Sequence, residues 1–117
     1  MSDLGEYLLA GSRTPWKDGE HDCTAWPARW AGIDLPKDYS THGRPLSEVW
    51  GDWIGDRLEL VLEPEAGDVG VLAVITPDGT GEVGGIYTGE KWAMLTAKGV
   101  AFVRMPADNV IAVWRRG

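Results

Sequence analysis

The stretch EPEAGDVGVLAVI, residues 63–75, marks the point where the chain changes character. From Val69 onward apolar residues come in short runs of Val, Ile, Leu and aromatics, the composition that suits a pleated, half-buried surface. The runs EVGGIYTG, KWAMLT, GVAFVRM and NVIAVWRR continue the pattern toward the C-terminus, punctuated by Gly, Pro, Asp and Asn. They read as roughly four or five strands, with TPDGTGE and TGEK as hairpin loops.

Working back toward the N-terminus, the period lengthens. LSEVWGDWIGDRLEL, residues 46–60, puts Leu46, Val49, Trp50 and Trp53 on one helical face, against the disfavour of Gly51 and Gly55. DLPKDYSTHGRP, residues 34–45, is a loop by composition. CTAWPARWAG, residues 23–32, suits a helix closed by Gly32. Pro27 fits that helix only within its first turn, where a missing N–H costs nothing. The helix therefore starts between Thr24 and Trp26, with Cys23 at its N-terminus. Leu4, Tyr7, Leu8 and Leu9 mark a first short helix, ended by Gly11, Ser12 and Pro15. The expected fold is α+β in one domain, residues 1–117: a mainly helical half (1–62) packed on one side of a small antiparallel sheet or barrel (63–117).

Composition bounds the function. At 117 residues, with 44% hydrophobic and 25% charged, the chain is long enough for one core and apolar enough to fold. Eleven basic against eighteen acidic residues give a formal charge of −7, which repels phosphate backbones, so nucleic acid is not an expected partner. The acids are scattered, Asp3, Glu6, Glu48, Asp52, Glu63, Glu65 and Asp68 among them, and read as a solvated surface. Seven Trp against one Phe suggest rings left half exposed for a partner to cover. A lone cysteine makes no internal disulfide, no CxxC or His spacing suits a metal, and Gly81, Gly84 and Gly85 are sheet turn or bulge glycines with no phosphate loop after them. No cofactor or metal is expected. The N-terminus is acidic where a signal peptide is basic, and no apolar run approaches the ~18 residues of a membrane span, so a chain folding in the cytoplasm is expected.

One ordered set of motifs goes further. His21-Asp22-Cys23-Thr24 with Trp26 and Trp30, Ala31-Gly32-Ile33-Asp34, Tyr39, Glu65-Ala66-Gly67-Asp68-Val69, Gly85-Ile86-Tyr87-Thr88-Gly89 and Ala112-Val113-Trp114-Arg115-Arg116 follow one another over most of the chain. In that order they resemble the NlpC-like domains, of papain-like cysteine peptidase fold, that occur as short modules in phages and prophages. The resemblance implies Cys23 as nucleophile, since a thiol at a helix N-terminus is favoured as thiolate. It also implies a strand-borne His to move the proton. In active relatives that His stands two residues before the Gly-Ile-Tyr glycine; here the position is Val83.

His21, two residues before Cys23, and His42, in a loop, are poor substitutes, and Asp22 reads as a helix cap. Asp34 with Asp38, and Glu63 with Glu65, lie in Pro-containing loops and read as solvated carboxylates in preference to an acid and base pair. The expected function is a phage tail or tail-tip structural or assembly component, using an inactive peptidase fold to dock onto other tail proteins. It would reside in the host cytoplasm during assembly and then in the virion. The alternatives are an active endopeptidase of peptidoglycan peptides with Cys23 as nucleophile, and a groove beside Cys23 that binds such a peptide without chemistry.

Overall fold

A computed structural model describes residues 3–17, 21–33, 35, 44–77 and 79–116. The α+β expectation holds: among the described residues, three helices stand against one face of a six-stranded antiparallel sheet. Helix α1 spans Asp3–Arg13, α2 Ala25–Ala31 and α3 Leu46–Ile54. The strands are β1 (Glu59–Val61), β2 (Val69–Thr76), β3 (Gly79–Tyr87), β4 (Trp92–Thr96), β5 (Gly99–Val103) and β6 (Val110–Arg115), ordered β1-β6-β2-β3-β4-β5. The expected hairpins form: Thr76 pairs with Gly79, and Tyr87 with Trp92. Among the described residues no helix is long and apolar enough to cross a membrane.

Two helix ends differ from the sequence reading. Gly11 does not stop α1 but lies inside it, because the Trp26 indole occupies the space a side chain would need; a Cβ there would sit 2.5 Å from Trp26 Nε1. The third helix ends at Ile54, well short of Leu60. Gly55 adopts φ 59°, a conformation other residues resist, and the chain turns there so that Glu59–Val61 can pair with Val113–Arg115.

Side-chain alternation divides the sheet between two apolar clusters. On the helix face, Trp26 and Trp30 of α2 and Trp50 and Ile54 of α3 pack on Val69, Val71, Ile86 and Trp114. On the other face, Leu72, Trp92 and Val113 gather Val83, Tyr87 and Met105, with no helical residue among the described ones joining them. Five of the seven tryptophans (26, 30, 50, 92 and 114) are buried. The surplus of tryptophan therefore builds the core, and the expectation of several half-exposed rings is corrected: a small domain with one Phe uses indoles as its bulk.

Candidate functional site

Cys23 lies in the turn that leads into α2, two residues before the first helical position, and is partly exposed. Asp22 makes this turn. Its Oδ1 accepts the backbone N–H groups of Thr24 (3.0 Å) and Ala25 (2.7 Å), the capping role expected from the sequence. Pro27 is the third helical residue, as its chemistry requires. It has no N–H to offer the Cys23 carbonyl, which lies instead against the middle of β3. A Cβ on Gly84 would stand 2.9 Å from that oxygen, 2.8 Å from Pro27 Cγ and 2.9 Å from Trp50 Cη2. Gly84 is thus the point where the strand admits both the cysteine turn and α3. It pairs in register with Val71, and Gly81 and Gly85 pair with Val74 and Gly70, so these three are ladder glycines and not turn or bulge residues.

Face alternation changes the meaning of the missing histidine. Val83 pairs with Leu72 and packs with it on the face away from the helices. Any side chain at position 83 points away from Cys23. The β3 positions on the cysteine side are Thr80, Glu82, Gly84 and Ile86. Glu82 serves the fold there. Its Oε1 accepts the Ser47 N–H at 2.8 Å, capping α3, whose own flanking residue Pro45 supplies no side-chain cap.

His21 is buried, and its role is structural. Its backbone exchanges two hydrogen bonds with Lys17 (3.0 and 2.7 Å), and its Nε2 lies 3.1 Å from the Gly11 carbonyl. A carbonyl only accepts, so Nε2 carries the proton and donates it, which fixes the ring to the end of α1. His42, Asp34, Asp38 and Tyr39 lie outside the described residues. Among the described residues no group of His, Cys, Asp or Glu is arranged to hold a metal ion.

The remaining motif residues meet one another beside α2. Asp68 is buried, correcting its reading as a solvated acid. Its carboxylate accepts Arg115 Nε (3.3 Å) and Nη2 (3.1 Å) and the Glu65 N–H (2.7 Å). The hydrogen bond from Arg115 raises that guanidinium above its ordinary pKa, with the charges of Asp68 and Glu65 assisting against desolvation. Glu65 Oε2 adds an ion pair to Arg115 at 2.7 Å, so Glu65 is not held for acid and base work with Glu63. Trp30 donates its indole N–H to the Gly67 carbonyl at 2.8 Å, and the Arg116 guanidinium lies 3.8 Å from the Trp30 ring centroid. Tyr7 stacks on Trp26 and gives its hydroxyl proton to the Trp26 carbonyl. The Gly-Asp, Trp30 and closing Arg-Arg pieces thus fasten α1, α2, β2 and β6 together.

What the sequence reading missed is on the opposite face. Val61, Leu62, Trp92, Met105, Val110 and Ile111 line a groove of about 430 Å³ there. The sequence signal was available: the alternation of β2, β3 and β6 puts apolar residues on both faces, while the helices of the described residues cover one of them. Compared with known proteins, the chain matches no family model and no curated protein.

Proposed function

We propose that the chain is a non-catalytic docking module of NlpC-like fold, a structural or assembly component of a phage or prophage tail or tail tip. The observation that carries the catalytic half of this reading is the surroundings of Cys23. Cysteine-dependent acyl transfer needs a base that takes the thiol proton and returns it to the leaving group. The strand that packs against Cys23 supplies Glu82, engaged with Ser47, and the bare backbone of Gly84. The nearest histidine in sequence, His21, is tied to Gly11. Two features support the docking half: the order of motifs across the chain, and an apolar sheet face that no helix of the described residues covers. Its partners in this reading are other tail proteins, and its path runs from the host cytoplasm into the virion.

One observation favours a second reading, an active endopeptidase acting on peptidoglycan peptides with Cys23 as nucleophile. The partly exposed cysteine leads into a helix and its turn packs on the central strand, as such a nucleophile requires. That reading needs a base from a partner chain or from His42.

Mass spectrometry of purified virions tests the first reading. The expected result is the chain at a fixed ratio to known tail proteins. Its absence from tails, together with peptide hydrolysis by the purified chain, would overturn it.

A further inference from the structure

The sheet has two edges, and the fold treats them differently. At β5 the edge is occupied: Ser12 of α1 accepts the Val100 N–H through its Oγ at 3.2 Å and sits beside Gly99. At the other edge β1, among the described residues, pairs with β6 alone, so the outer backbone groups of Glu59–Val61 are open to a further strand. Sheets commonly blunt such an edge with Pro, Lys or a bulge. RLELVLE, residues 57–63, holds neither Pro nor Lys. A bulge does occur in β6, where Val71 pairs with Ala112 and Leu72 with Val110 so that Ile111 is extra, but it lies outside residues 113–115, which pair with β1. Leu60 and Leu62 stand on this open edge 64% and 99% exposed.

The order of residues along the edge selects the occupant. When two copies join strand to strand about a two-fold axis, opposed side chains share a face, so the axis passes where one residue meets its own copy. Centred on Leu60, residues 57–63 are self-complementary: Leu60 meets the copy's Leu60, Leu58 meets Leu62, Glu59 meets Val61, and Arg57 meets Glu63. The neighbouring centres fail. Centring on Glu59 sets that carboxylate against itself, and centring on Val61 sets Glu59 against Glu63, like charges that oppose pairing. In the register about Leu60, Glu59 lies diagonal to carboxylates of the copy, but its in-register neighbour on β6 is Arg115, which offsets its charge.

We propose that β1 is a self-association edge, at which a second copy of this chain adds antiparallel about Leu60 and joins two six-stranded sheets into one. Residues 57, 58, 62 and 63 form bends beside β1, so the strand lengthens as the outer pairs form. Arg57 keeps its charge while donating to the Trp53 and Ile54 carbonyls. Each copy carries −7, which opposes association; the leucines and the edge hydrogen bonds drive it, and salt strengthens it by screening the net repulsion. The inference goes beyond the docking reading and does not rest on it.

Cysteine placement reads the register directly. In the whole chain with Cys23→Ala, single cysteines are introduced at positions 59, 60 and 61 and oxidised mildly. Directly opposed residues of antiparallel strands have Cα atoms about 4.5–5.5 Å apart, within the span of a disulfide, whereas diagonal ones are about 7–8 Å apart and beyond it. Leu60→Cys is therefore expected to give linked dimers at least about tenfold faster than Glu59→Cys or Val61→Cys alone, and a mixture of those two to link to each other. Sedimentation of the wild type is expected to shift from monomer to dimer as concentration or salt rises. Leu60→Lys, which sets two ammonium groups together at the axis, should weaken the dimer at least about tenfold, and Glu63→Lys about threefold, although both reduce the net negative charge.

A monomer at every concentration, cross-linking fastest at Glu59→Cys or Val61→Cys, or a dimer that survives Leu60→Lys would each overturn the proposal. An unchanged melting temperature of the dilute variants shows that the fold survives; if Leu60→Lys melts lower, the cysteine pattern decides alone. The two readings fail separately: a chain found in tails that stays monomeric keeps the docking role, and a chain absent from tails that pairs about Leu60 keeps the edge.

Discussion

The two faces of the sheet are built from the same kinds of residue and end differently. On the helix face, Trp26, Trp50, Val69, Val71 and Ile86 are all within 1% of full burial, and the motif residues Asp22 and Trp30 hold α2 in place, by its cap and by its bond to the Gly67 carbonyl. On the other face a comparable apolar floor stays open to a groove, with Leu62 and Ile111 at its margin. Burial lowers the free energy of folding on either face, Leu72, Trp92 and Val113 included, whereas the exposed Leu62 and Ile111 gain nothing from it. Large effects on stability therefore belong to the buried residues of either face, and small ones to the exposed margin at Leu62 and Ile111.

The widest contrast is expected between truncations on either side. Trp50→Ala should cost about 3–5 kcal/mol, the usual loss for a fully buried indole, while Ile111→Ala should stay within about 0.5 kcal/mol. Denaturant unfolding of both variants measures this. Next come the neighbouring glycines, whose side chains would point to opposite faces. Gly84→Ala drives a methyl into the Cys23 carbonyl and two rings at 2.8–2.9 Å and should cost about 2–3 kcal/mol; Gly85→Ala meets its neighbours only at 3.1–3.4 Å and should cost about 1 kcal/mol or less. Equal losses at the two positions would contradict the tighter packing around Gly84.

Removing the buried carboxylate in Asp68→Ala should cost about 2 kcal/mol, since it strips Arg115 of a partner and leaves the Glu65 N–H unpaired. Thermal melts at equal pH check this. The smallest effect concerns Tyr7. Burial raises its hydroxyl above the ordinary value of 10.0, against the opposing pull of Arg29. A folded-state pKa above the unfolded one means the folded state holds the proton longer. This contribution to stability is complete below pH 10 and is lost as pH rises through the raised folded value. Tyr7→Phe should lower stability by about 1 kcal/mol at neutral pH through the lost bond to the Trp26 carbonyl, and the difference from wild type should shrink in alkaline denaturation above pH 10.

Much of this was legible in the sequence because local chemistry decided it. Pro27 with Gly32 bracketed the second helix, Asp22 announced its cap, and the Val and Ile runs after residue 68 announced the strands. What could not be read depended on partners far along the chain. Gly11 looks like a helix stop until Trp26 is seen filling its side-chain space. Asp68 looks like one more surface acid until Arg115, 47 residues later, is brought to it. Val83 looks like the vacated histidine position until strand register turns it to the far face and leaves Glu82 beside α3. The bulge at Ile111 is likewise a property of pairing and not of its own residues.

The claim that the Cys23 side of the sheet serves the fold and not catalysis is tested most directly by turnover of a cross-linked muropeptide. The wild-type chain and its Cys23→Ala variant would be compared across neutral and alkaline pH. The account predicts that both match the rate without protein. Turnover by the wild type that vanishes in Cys23→Ala would contradict it and make Cys23 a working nucleophile.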